Sequence, residues 1–212
     1  MNYLDIINSD FFKQTYSKIE EMKKDYPVNH GFIHIRNVIK NAKRLAITFK
    51  LNKKEIDLLL IASTLHDIGY LIDRDDHAYN GGELAKIILK EWKFNDTDIN
   101  VISNAIKNHG GKKQEEYQDK ISMCLIIADK LDFISSRYNK DMLSTDKQKI
   151  FPHIKDTFLE YKKGIITLNI VITNNFSIDT FNSSSYYFKL INFLNLLCNK
   201  LNSKYNIKYI ND

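Results

Sequence analysis

The stretch Leu58-Leu59-Leu60-Ile61-Ala62-Ser63-Thr64-Leu65-His66-Asp67-Ile68-Gly69 decides how this chain is read. Ile56, Leu59, Leu60, Ala62, Leu65 and Ile68 recur at helical intervals, Asn52 stands where a helix cap belongs, and Gly69 stands where the helix should end. The run from Leu58 to Leu65 carries no charge, so the helix should be buried. It delivers an imidazole and a carboxylate at its end. Groups of that kind are costly inside a protein unless they find partners.

Other helices extend outward from this one. Leu4, Ile7, Phe11, Phe12, Tyr16 and Ile19 give a helical spacing over residues 3–24, broken by Tyr26-Pro27-Val28-Asn29. A second helix is predicted over about 31–49, with Ile35, Val38, Ile39, Ala42, Leu45 and Ala46 inward. After the polar loop Asp73-Arg74-Asp75-Asp76, helices are predicted over His77–Trp92 and over 96–109, the latter with Asp96 as N-cap. Gly110-Gly111-Lys112-Lys113 opens a loop, and residues 118–138 read as a strongly apolar helix. Then the period changes. Ile154–Tyr161, the turn Lys162-Lys163-Gly164, and Ile165–Ile172 with its alternating Ile166, Leu168, Ile170 and Ile172 read as a β-hairpin. A last helix over 184–204 and a short edge strand at Ile207–Ile210 complete the chain. The expected fold is therefore mainly α: a helical body over residues 1–140, with a small α+β tail over 141–212 packed on it.

Composition narrows the function. Seven Gly and two Pro in 212 residues favour long elements over a loop-rich β fold. No apolar run reaches the roughly 18 residues that span a bilayer, and Met1-Asn2-Tyr3-Leu4-Asp5 lacks the layout of a secretory signal. Cys124 and Cys198 have no metal-type spacing and read as reduced thiols, which places the chain in the cytoplasm. The formal net charge of +5 is Lys dispersed along the whole chain. Without a block of like charge, specific nucleic-acid binding is not expected. Only four Arg are present, and Arg36, Arg74 and Arg137 each lie near a candidate ligand.

His66-Asp67 alone is a weak motif, and a core histidine bonded to its neighbour is the plain structural alternative. A second apolar run, Ile121 and Met123 to Ala128, ends in Asp129-Lys130. An acid there should be paired, either in a salt bridge with Lys130 or Arg44 or as a metal ligand opposite His66-Asp67. His34, near Val38 on a helix face, completes the set. His34, His66, Asp67 and Asp129 make a nitrogen and oxygen shell without thiolates. That suits Mn, Fe, Co, Ni or catalytic Zn rather than a closed structural Zn site.

His34-Ile35-Arg36-Asn37-Val38, then Leu65-His66-Asp67-Ile68-Gly69, then Ala128-Asp129-Lys130 resembles the HD-domain metal-dependent phosphohydrolase superfamily, over roughly residues 28–138. The resemblance implies an HD-domain helical bundle. It implies one divalent metal on His34, His66, Asp67 and Asp129, or two with His77 and His109 added and Asp67 as the bridge. The activity it implies is hydrolysis of a phosphate ester or anhydride by a metal-activated hydroxide, with Asp67 and Lys130 as catalytic residues and Arg74, Arg137 and His30 facing substrate. Ala105-Ile106-Lys107-Asn108-His109-Gly110 and Ala128-Asp129-Lys130-Leu131-Asp132 look like the symmetrical dinucleoside-tetraphosphatase branch, which implies a nucleotide substrate. Tyr70 stands after Gly69, where that branch carries Lys. Two other readings share these residues: an HD-type diiron oxygenase acting on a small polyol or phosphonate, and a non-catalytic binding module. The tail hairpin could serve a homodimer or gate the pocket.

Overall fold

The computed structural model describes residues 1–22, 24, 26–139, 142 and 150–212. Asn2 caps a short α1, Tyr3–Asn8, through a capping box with Asp5. Ser9 is extended and interrupts the single helix expected over 3–24; its hydroxyl accepts from the Phe12 N–H and opens α2, Asp10–Met22. Glu20 on α2 then accepts the Phe32 N–H at 2.9 Å, satisfying an orphan donor at the start of α3, Phe32–Thr48.

The next helix, α4, Lys53–Leu65, is capped by the Asn52–Glu55 box and buries every residue from Leu58 to Leu65. A helix apolar on all sides belongs at the centre of a bundle, and α4 packs against α3, α6 and α7. It ends sooner than the sequence suggests, and Ile68–Leu71 form a 3₁₀ turn. Gly69 lies inside that turn and is not its stop signal. A Cβ there would fall 1.9 Å from the His77 carbonyl oxygen and 2.5 Å from the Gly81 nitrogen, so this glycine lets the start of α5 (His77–Glu91) press onto the turn.

Asn95, not Asp96, caps α6, Asp96–Asn108, by accepting from the Asp98 N–H. The helix expected over 118–138 is only α7, Lys120–Lys130, capped by Asp119. Beyond it Asp132 is drawn onto His34 and Asn37, and Phe133 is buried against Phe181 and Tyr186. These tertiary contacts end the helix where local propensity would extend it.

Strands β1 (Ile154–Lys162) and β2 (Ile165–Ile172) form the expected hairpin. Lys163 and Gly164 both have positive φ, 52° and 74°, which fits a type I′ turn. A short α8, Ile178–Asn182, precedes α9, Ser185–Leu201, and the chain returns as β3, Lys204–Asn211. That last strand lies parallel to β2, in the order β1-β2-β3. A parallel return needs a crossover of a dozen or more residues, which α8 and α9 supply. Asp156 on β1 pairs with Lys40 and Arg44 of α3, and the Thr157 hydroxyl donates to the Leu131 carbonyl. The expected boundary near residue 140 falls outside the described residues. Among those described, no helix is long and apolar enough to cross a membrane.

Candidate metal centre

The two helices buried on all sides stop at one place. His66 and Asp67 follow the end of α4, and Asp129 is the penultimate residue of α7. The facing imidazole, His34, sits in the first turn of α3. His77 opens α5 and His109 closes α6. All six come together in the fold.

Their geometry is specific. The Nε2 atoms of His34 and His66 lie 3.1 Å apart, as do those of His77 and His109. Asp67 lies between the pairs. Its Oδ2 is 3.3 Å from His34, and its Oδ1 is 3.4 Å from His66, 3.6 Å from His109 and 3.9 Å from His77. Asp129 Oδ1 is 3.3 Å from His34 and 3.9 Å from His66. For Asp129 the salt bridge with Lys130 is present, Lys130 donating to its Oδ2 at 3.1 Å, while Oδ1 faces the histidines. Arg44 is spent on Asp156.

The outer nitrogens explain the inner ones. His66 Nδ1 lies 2.9 Å from the Ser63 carbonyl, His77 Nδ1 2.7 Å from Arg74, and His109 Nδ1 2.6 Å from Ile106. Each partner is the carbonyl three residues earlier. A carbonyl only accepts, so each Nδ1 carries a proton, and Nε2 is the nitrogen turned inward. His34 Nδ1 donates to the Asp132 carboxylate at 2.6 Å. Two inward lone pairs 3.1 Å apart repel unless a metal ion or a proton lies between them. Two nitrogens bound at right angles to one cation, each about 2.1 Å away, would stand about 3.0 Å apart. The donor chemistry and the spacing therefore fit a divalent metal at each pair.

Electrostatics agree. Burial pulls the imidazole of His109 down to about 3 and that of His30 to about 4, and it also lowers His66. Burial and Arg137 act the same way on His34, but hydrogen bonds to Asp129, Asp132 and Asp67 hold it up at about 10. Without metal, the first pair thus holds a proton on His34. Burial raises Asp67 and Asp129, yet His66 and His30 around the first, and Lys130 and His34 around the second, keep both carboxylates well below their usual range.

A cavity of about 450 Å³ opens above Asp67, His77, His109 and Asp129. His30 reaches it and holds Asp67 Oδ2 through Nδ1 at 3.0 Å. Lys130 and Arg137 also line it. Backbone pairing of Asn29 with Arg137 and of Asn139 with Pro27 fixes that edge. The side chain of Arg74 does not reach the cavity. It lies 4.9 Å over the Tyr26 ring, and only its carbonyl serves the site, by holding His77. Arg36 is exposed and outside the cavity.

Two features escaped sequence reasoning. Asp132 is fully buried, takes His34 and Asn37 on its carboxylate and the Arg137 Nη1 on its carbonyl. An acid two residues past an apolar helix was the available signal. Tyr70 stacks on His77 at 4.2 Å and lies 4.6 Å from His30, a contact that sequence spacing does not announce.

An uncharacterized protein of Clostridium beijerinckii is 23% identical over 137 residues, covering 60% of this chain and 87% of its own length. The crystal structure of a predicted HD superfamily hydrolase from an uncultured Thermotogales bacterium is 27% identical. It covers 63% of this chain and 75% of that one, with a TM-score of 0.46. The family model that matches is the HD domain, over residues 31–134, a span that holds all six clustered ligand candidates. The helical body of this chain is thus similar to an HD domain over residues 31–134.

Proposed function

We propose that this protein is a metal-dependent phosphohydrolase that cleaves a phosphate ester or anhydride of a nucleotide. The observation that carries the reading is the double pairing of inward Nε2 atoms at 3.1 Å around Asp67, on the floor of a cavity that also presents Lys130 and Arg137. The HD domain match supports it. His34, His66, Asp67 and Asp129 would hold one divalent cation, and Asp67, His77 and His109 a second. Such cations supply an acidified water as nucleophile and positive charge for phosphate oxygens.

The chain's own residues position and screen. The three carbonyl-anchored imidazoles and the Asp132-anchored His34 hold their tautomers before any ligand arrives. Asp67 turns Oδ1 toward His66, His77 and His109 and Oδ2 toward His34. Lys130 fixes Asp129 and puts an ammonium beside the floor, where it offsets charge on a phosphate. Arg137 is anchored by the Asp132 carbonyl, while its buried Nε has no acceptor among the described residues. Its planar fork suits a phosphate oxygen. His30 steadies Asp67 from the cavity side.

The test is elemental analysis of protein purified without chelator, followed by phosphate-release assays over mono-, di- and tetraphosphate nucleotides. Two metals per chain with phosphate release is the expected result. His66→Ala and Asp67→Ala should abolish metal binding and turnover together. Full activity in either variant with metal retained overturns the reading, as does a metal-loaded protein that releases phosphate from none of these substrates.

A further inference from the structure

The cavity is not built by the HD domain alone. Its outer wall is α9, which lies beyond residues 31–134 and contributes Tyr186, Lys189, Leu190, Asn192 and Phe193. This helix is held in register with the site. The Tyr186 hydroxyl donates to the Lys130 carbonyl at 3.0 Å, Gln114 donates to the Leu196 carbonyl, and Lys200 donates to the Gln118 carbonyl. The first of these bonds lies one residue from Asp129, so the wall is tied to the floor.

Charge is distributed unevenly in this cavity. Its acids, Asp67 and Asp129, both belong to the metal cluster. Lys130, paired with Asp129, and Arg137, bonded to the Asp132 carbonyl, are assigned to the phosphate at the floor. Two further cations remain: Lys189 on α9 and Lys112 on the loop after α6. Neither is within ion-pair distance of a carboxylate among the described residues. Buried Leu190 and Phe193 line the wall beside Lys189. The cavity thus has a metal-binding floor, an apolar flank and a second, uncompensated cationic position. Its volume of about 450 Å³ is within the range that encloses a small ligand.

We infer that Lys189 and Lys112 bind a second anionic group of the substrate, so the site selects molecules with two phosphate groups over monophosphates of the same body, and the appended helix α9 sets that choice. The inference rests on the phosphohydrolase reading for what happens at the floor, but the selection itself is a binding property. Lys189 and Lys112 are specificity residues and do not touch the reacting atoms.

The experiment compares binding of two slowly hydrolysed probes to the metal-loaded protein by calorimetry: the α,β-methylene analogue of ADP and the thiophosphate analogue of AMP. The diphosphate analogue should bind more tightly. Lys189→Ala and Lys112→Ala should each weaken it about fivefold, the scale of an exposed charge contact, and leave the monophosphate analogue within twofold. Lys189→Glu should enlarge the loss. A thermal melt confirms that these exposed substitutions keep the fold. Equal binding of the two probes by the wild type overturns the inference, and so does equal weakening of both by the variants. If the probes bind as expected but no nucleotide is hydrolysed, the phosphohydrolase reading fails and the selection stands. If phosphate is released equally well from ADP and AMP, and Lys189→Ala changes neither, the reverse holds.

Discussion

Asp132 makes the sharpest test of how the site is held. Its carboxylate accepts from a fully buried imidazole, His34, at 2.6 Å, and from the half-buried Asn37 at 2.9 Å. In Asp132→Ala, Asn37 can turn to water, and Arg137 keeps its bond to the backbone carbonyl at 132. His34 has no such recourse, since its ring is fully enclosed. A buried donor left without an acceptor costs about 1–3 kcal/mol. With the nearby Arg137 guanidinium also losing its counter-charge, the total should approach about 3 kcal/mol. Asp132→Asn retains an acceptor oxygen and should fold nearly normally, but the ring of His34 is then less firmly oriented and less basic. Loss of such an outer partner lowers metal affinity about 10- to 100-fold, or about 1.4–2.8 kcal/mol. The assay is competition for Zn or Mn against a chromophoric chelator, alongside denaturant unfolding in chelator. A folded Asp132→Asn protein with wild-type metal affinity would refute the claim that this carboxylate sets the His34 lone pair.

Further predictions concern packing, pH and thiol chemistry. Gly69→Ala puts a methyl group against the backbone of His77 and Gly81, which has little room to give; we expect a loss of about 1–3 kcal/mol and reduced metal stoichiometry. Thermal melting and elemental analysis check this, and a wild-type melting temperature contradicts it. In chelator, stability should fall as pH drops from about 6.5 toward 4. The buried rings of His109 and His30 resist protonation that the unfolded chain accepts, so the unfolded state binds more protons there. The slope is at most about 1.4 kcal/mol per pH unit for each such ring. His34, raised in the folded state, gives a smaller slope of opposite sign near pH 6.5, which fades as the unfolded chain also protonates toward pH 5. A flat unfolding free energy between pH 7 and 5 counts against the buried neutral imidazoles. Burial pushes the Cys124 thiol up to about 12, so native protein at pH 8 should take iodoacetamide at Cys198 first and at Cys124 only on unfolding. Mass spectrometry of the alkylated peptides reads the order.

Much of this molecule was legible in its sequence. The runs 58–65 and 121–128 have no polar face, and only a central position in a bundle accepts such helices. Each run ends in ionisable groups that cannot be buried alone, so the approximate place of the site followed from burial chemistry. The Asn52 cap and the hairpin turn are local events, set by side chains within a few residues. The misreadings of Gly69 and Arg74 are non-local. Ser9 splits the first helix although the apolar period runs through it, because period measures the buried face and not the backbone. Gly69 reads as a helix stop, but what demands a glycine is the backbone of α5, which arrives from elsewhere in the chain. Arg74 is close to His77 in sequence, yet its side chain lies over Tyr26.

The amino-acid order by itself determined which segments are helices, which two are central, and which imidazoles and acids must find partners. Those properties depend on spacing and on the cost of burying charge, and both are written along the chain. Only the tertiary structure decided that the imidazoles meet in pairs with Asp67 between them, that Asp132 holds His34 from behind, and that α9 closes the cavity. The histidine pairs and the His34–Asp132 bond join residues 32 to 98 positions apart, and the α9 contacts span the body and the tail. Their distances are set by how the helices stack, which no local pattern encodes.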